Sequence, residues 1–232
     1  MVKKKILVQF DGSNFYNKAK KILPQVHLTN FNYHGLAKLL VKNDQFQVVY
    51  YVGEIRQYEG NKKSEMLYSN QQKLFTHLRN QNIEIKLGYL LMSDGKFHEK
   101  GVDVQIAVDI VRGSIKNEYD KFYLISSDTD LLPAIQTAKD EDKEVIYVGF
   151  ENFISRALLK NCSSYVILKK NQILKLAKSK KWYCILQFER CCHVYFSQKI
   201  LCDAKILLCP SIALAKEERT FVTQMAALVE LN

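Results

Sequence analysis

The chain has 232 residues, 47% hydrophobic and 25% charged, with a formal net charge of +10. That is room for one large domain or a domain with an appendage, in the composition of a soluble globular fold. No apolar run approaches the roughly 18–20 residues of a membrane span. Met1-Val2-Lys3-Lys4-Lys5 runs into a short strand without a signal-peptide core, so a cytoplasmic protein is expected.

Lys5–Phe10 is an apolar strand that ends at Asp11-Gly12-Ser13-Asn14, and a helix can follow over Phe15–Leu23 until Pro24 stops it. A second helix covers Tyr33–Lys42, and the β-branched and aromatic run Phe46–Val52 is a second strand, with Glu54 just after it. Met66, Leu67, Leu74, Phe75 and Leu78 are spaced as the buried stripe of a helix over Lys62–Asn80. Ile83–Leu91 is a third strand, Ser93–Lys96 a turn, and Lys100-Gly101 opens a helix to about Ile115. Tyr119–Ile125 is a fourth strand, followed by Ser126-Ser127-Asp128-Thr129-Asp130 and a helix from Leu131 to about Asp140. Lys143–Val148 is a fifth strand, Asn152–Leu159 a short helix and Tyr165–Leu168 a short last strand. Strands alternate with helices throughout, which predicts an α/β fold with a parallel sheet covered on both faces.

The character changes near residue 178, and two segments are expected, 1–178 and 179–232. No glycine occurs after Gly149, and five of the six cysteines lie beyond residue 178. Residues 169–232 carry 11 Lys/Arg against 5 Asp/Glu, a net +6. Excess positive charge suits a polyanion partner such as nucleic acid. Cys191-Cys192-His193 with Cys202 and Cys209 lacks the C-x-x-C pair usual in structural zinc sites, so zinc is not expected.

Four carboxylates stand where strands end or helices begin: Asp11, Asp103, Asp128 and Asp130. In a parallel sheet the C-terminal ends of the first and fourth strands share one edge, so Asp11 and the D-x-D of Asp128 and Asp130 should face one crevice. Any one of them alone reads as a helix cap. Together, with no Cys/His ligand set, they suit a hard cation, Mg²⁺ or Mn²⁺. With Asp103 at 0° on a wheel of about 100° per residue, Val104, Ile106, Ala107, Val108, Ile110 and Val111 spread over about −60° to +140°. Asp103 is therefore expected inside the apolar arc, where a charge needs a partner. Asp109 falls near about 240°, on the polar flank with Gln105 and Arg112, and is expected to be solvated. Asn14 and Ser126 are candidates to support the acids from behind or to contact phosphate, with turn formation and capping as their plain roles. Glu54 is a weaker candidate for the crevice. There is no Walker phosphate loop and no G-x-S-x-G elbow.

Three blocks, VQFDGSNFYN at 8–17, KGVDVQIAVDIV at 100–111 and LISSDTDLLPAI at 124–135, resemble in order and separation the signature blocks of the NYN domain, in the LabA-like branch of the PIN-like nucleases. The resemblance covers about residues 3–170. It implies a PIN-like three-layer α/β/α sandwich with a central parallel sheet of five or six strands. It also implies a ribonuclease dependent on Mg²⁺ or Mn²⁺, with Asp11, Asp103, Asp128 and Asp130 as its metal-binding and catalytic acids. RNA, single-stranded or structured, is the expected partner. Asn14, Lys100 and Ser126 are expected to contact it, and self-association of the chain stays open. Asp109 matches a recurrent acid of the second block. Ser127 stands where the third block usually has glycine. The alternative reading is an RNA-binding or regulatory module of the same fold without useful turnover. A haloacid-dehalogenase phosphatase needs D-x-D after the first strand, where this chain has Asp11-Gly12-Ser13. An adhesion-type metal site needs D-x-S-x-S there, and position 15 is Phe.

Overall fold

The computed structural model describes residues 4–24, 27–42, 45–57, 61–93 and 96–177, with the backbone path alone over 90–93 and 96–99. The expected segment 179–232 and its cysteines lie outside the described residues. The strands are β1 (Ile6–Asp11), β2 (Gln47–Glu54), β3 (Glu84–Ser93), β4 (Lys96–Lys100), β5 (Lys121–Ile125), β6 (Glu144–Phe150) and β7 (Ser164–Leu168). They form one sheet in the order β4-β3-β2-β1-β5-β6-β7. Six strands run parallel, as the alternating pattern predicts, and β4 folds back antiparallel on the β3 edge. β4 had no sequence signal. An edge strand buries too little to need an alternating apolar pattern, and Lys96-Phe97-His98-Glu99-Lys100 is charged in the way that edges tolerate.

The helices are α1 (Gly12–Ile22), α2 (Tyr33–Val41), α3 (Lys62–Arg79), α4 (Val102–Ile115), α5 (Leu132–Asp140), α6 (Arg156–Asn161) and α7 (Lys170–Leu176). Residues pointing alternately off each strand feed two cores. On one face Tyr51, Leu124 and Tyr147 pack with Ile106 and Ile110 of α4, Ile135 of α5 and Leu158 of α6. On the other face Phe10, Tyr50 and Phe150 meet Phe15 of α1 and Tyr33 of α2, mostly edge to face at 5.2–6.0 Å between centroids. The result is a three-layer α/β/α sandwich. Among the described residues no helix is long and apolar enough to cross a membrane.

The chain runs outward from the central β1 through β2 and β3, then returns to build β5, β6 and β7 on the other side. Where the order reverses, the connections after β1 and β5 leave in opposite directions and open a crevice at the strands' C-terminal ends. Gly12 starts α1 immediately after β1, earlier than the sequence pattern indicated. A Cβ on Gly12 would lie 2.5 Å from the Tyr51 carbonyl oxygen and 2.5 Å from the Tyr50 ring. Only glycine lets α1 begin so close to β2. Gly12→Ala should therefore cost about 1–3 kcal/mol by overpacking, read as a lower urea midpoint with an unchanged slope.

Candidate functional site

β1 and β5 are direct parallel neighbours, with Phe10 opposite Ile125. Asp11 and Ser126 therefore leave the sheet side by side. Asp11 is 4% exposed and caps α1, its Oδ1 accepting from the Asn14 N–H at 3.0 Å. Its Oδ2 accepts from the Ser126 hydroxyl at 2.7 Å. The same Ser126 oxygen accepts from the Asp128 N–H at 3.1 Å. Asp128 Oδ1 in turn accepts from the Asp130 N–H at 3.0 Å and caps the 3-10 turn Thr129–Leu131 that leads into α5. Asn14 Oδ1 closes the arrangement by accepting from the Ser127 N–H at 3.2 Å. Asp11 and Asp128 are thus held at one edge of the sheet, as expected, with one serine between them.

These bonds favour the supporting role over the phosphate contact for two residues. Ser126, expected to touch substrate, is 2% exposed and its oxygen serves both acids. Asn14 is half-buried and ties α1 to the loop after β5. Both are positioning residues in this geometry. Asp128 is half-buried, and Asp130 is exposed. Lys100 is exposed where β4 ends. Gly101, at φ +79°, then turns the chain into α4. Glu54 is exposed at the end of β2.

The helical-wheel reading of α4 is overturned. Asp103 is exposed, and Asp109 is buried at 8% exposure. The inward face of α4 is Val102, Ile106, Asp109, Ile110 and Gly113. Val104 and Val108, which widened the predicted apolar arc, are 66% and 50% exposed. The helix carries two overlapping apolar stripes, and a wheel cannot tell which one the sheet covers. Asp109 accepts from the Tyr51 hydroxyl at 3.1 Å, from Lys86 Nζ at 2.7 Å and from Gln105 Nε2 at 3.1 Å. Gln9 Nε2 donates to the same Tyr51 oxygen at 3.0 Å. Tyr51 is the register partner of Asp11, and this second polar group lines a cavity shared with Lys5, Gln47 and Glu84, toward the N-terminal ends of the strands. Burial, and then the charge of Asp109, push the Tyr51 hydroxyl well above its usual range and keep it a neutral donor. Lys86, Tyr51 and Gln9 were not singled out in the sequence. A lysine and a glutamine pointing inward from otherwise apolar strands were the available signal.

Among the described residues, no three His, Cys, Asp or Glu side chains stand together as a ready cage for a metal ion. Mg²⁺ does not require one. It dehydrates reluctantly and is commonly held by one or two carboxylates with the substrate's phosphate and waters completing the shell. A buried Asp11 and a half-buried Asp128 joined through Ser126 fit that requirement in donor type and number.

In the comparisons with known proteins, an uncharacterized protein of Methanocaldococcus jannaschii is 33% identical over 120 residues, 44% of this chain and 50% of that one. The chain thus spans about half the length of that curated relative. A crystal structure of a protein of unknown function from Vibrio parahaemolyticus superposes with a TM-score of 0.55 at 20% identity, covering 72% of this chain and 93% of that one. A T5 5′-exonuclease with bound zinc reaches a TM-score of only 0.32 at 18% identity, over 56% of this chain and 52% of that one. The match to a family model covers the whole sheet and all three acidic blocks. The NYN domain model spans residues 5–169, and the chain belongs to the NYN domain family.

Proposed function

We propose that this NYN domain, of the LabA-like type that its three blocks resemble, is a ribonuclease using Mg²⁺ or Mn²⁺. The observation that carries the reading is the Ser126 bridge, which holds Asp11 and Asp128 together at the switch point. Ser126 bonds the Asp11 carboxylate and the Asp128 backbone N–H, so the two acids start from one sheet edge, which supports a cation shared between them. When bound, a divalent cation orients a water for in-line attack on phosphorus and offsets charge on the phosphoryl oxygens. Asp11 and Asp128 would hold it. Asp130 and Asp103, both exposed, would reach its waters. Water oxygen joins phosphorus as the bond to the 3′ oxygen breaks, leaving 5′-phosphate and 3′-hydroxyl ends. Lys100, exposed at the end of β4, would meet backbone phosphate.

The lack of a three-residue cage among the described residues favours a second reading, a module that binds RNA with little turnover. Incubating end-labelled RNA with the protein in Mn²⁺, in Mg²⁺ and in EDTA separates the two. The nuclease reading expects cleavage that needs the cation, and intact RNA in Mn²⁺ would leave only the binding module. Asp103 gives a sharper contrast, because it is exposed. Asp103→Asn should shift stability by less than about 1 kcal/mol, the size of a first-turn charge–dipole effect. It should slow cleavage nonetheless, and equal rates in variant and wild type would remove Asp103 from the site.

A further inference from the structure

We infer that Phe153, Lys18 and Lys21 form a binding subsite for one nucleotide of a single strand, beside the acidic crevice. The inference rests on the nucleic-acid reading above and adds a surface that the acidic blocks do not contain. Phe153 lies in the loop between β6 and α6, and its N–H donates to the Phe150 carbonyl at 2.9 Å. The Ser127 hydroxyl, one residue before Asp128, donates to the Phe153 carbonyl at 3.4 Å. Ser127 Oγ also lies 3.4 Å from the Tyr147 hydroxyl, which accepts from the Ser155 N–H at 3.0 Å. The loop carrying the ring is therefore tied to the segment that carries the D-x-D directly at Phe153 and through Tyr147 at Ser155.

The ring is half-buried, and Ile154 beside it is 41% exposed. Lys18 and Lys21, one turn apart on α1, bring their ammonium groups to 5.0 and 5.5 Å from the ring centre. Neither lysine joins an ion pair among the described residues. Arg156, at the start of α6, is exposed nearby in sequence, and Glu151 is the one acid in the loop. Aromatic surface with unpaired cations at its rim is what a single strand needs. Bases of any sequence stack on the ring, and phosphates pair with the ammonium groups. On binding, the lysines exchange a weak exposed cation–π contact for a phosphate, and the base takes their place on the ring. Neither contact reads the 2′-hydroxyl, so this subsite holds the strand and selects nothing about its sugar.

The test is fluorescence anisotropy with a short, mixed-sequence, fluorescein-labelled single-stranded RNA in EDTA, across a range of salt. Phe153→Ala is expected to weaken binding roughly tenfold, the loss of one base–aromatic stack. Phe153→Trp should bind as wild type does, which separates stacking from any effect on loop folding. Lys18→Gln with Lys21→Gln should lower the slope of log K against log salt by about 1.4, two single-strand phosphate contacts. A merely structural role would leave that slope alone. Unchanged affinity and slope across the variants overturn the subsite, even where Asp11→Asn removes cleavage. Weakened binding upholds it, even where the wild-type protein cuts nothing.

Discussion

Asp11→Asn should lose Mn²⁺-dependent RNA cleavage by roughly a thousandfold or more while the protein stays folded. A cation clamped on a phosphoryl oxygen is worth several kcal/mol of transition-state stabilisation, and each 1.36 kcal/mol is tenfold in rate. The variant keeps the shape of the side chain and removes the charge that holds the ion. Its amide oxygen still accepts from the Asn14 N–H, so the cap on α1 survives. Its NH₂ now faces Ser126 Oγ, which already accepts from the Asp128 N–H, and the serine hydroxyl hydrogen loses its acceptor. One disturbed hydrogen bond costs about 1 kcal/mol. Rate and stability should therefore part company. Asp11→Asn cleaving within tenfold of wild type would mean that Asp11 is only a cap.

The contrast between Asp11 and Asp103 shows what could be read from the sequence. Asp11 was legible because a strand end is marked by an abrupt change from apolar run to turn residues, and a parallel sheet forces such ends onto one edge. The D-x-D after β5 was legible for the same reason. Asp103 and Asp109 sit inside a helix, where the local sequence fixes the angle between side chains but not the orientation of the helix on the sheet. That orientation is set by contacts far away in sequence. A Cβ at Gly88 of β3 would lie 2.5 Å from a Val102 methyl, so the bare backbone there seats the start of α4. Lys86, two residues earlier, supplies the cation that allows Asp109 inside. The Ser126 bridge was beyond reach for a related reason. It joins residues 115 apart, and serine after a strand reads as a cap wherever it occurs. Local rules found the strand ends, and tertiary packing decided which polar groups between them face inward.

Lys86→Met should be the most destabilising of the single changes considered, by about 2–3 kcal/mol, or roughly 5–10 °C in Tm. Lys86 Nζ lies 2.7 Å from Asp109 Oδ2, and the Asp109 side chain is 7% exposed. Methionine fills similar space but leaves the carboxylate with only the Tyr51 hydroxyl and the Gln105 amide as donors. Removing one partner of a fully buried pair costs about 3–5 kcal/mol, chiefly through the charge left behind. The Lys86 side chain is 27% exposed, and its Nζ also lies 3.8 Å from the exposed Glu84, so the pair is partly screened and a smaller loss is expected. The decisive variant is the double one. Asp109→Asn keeps an oxygen for Tyr51 and has no charge to strand. Lys86→Met combined with Asp109→Asn should therefore recover much of the loss seen in Lys86→Met alone, a coupling that a double-mutant cycle of urea midpoints measures directly. Strictly additive losses would show that the two side chains are neighbours without being a pair, and that the Lys86 cation is dispensable to Asp109.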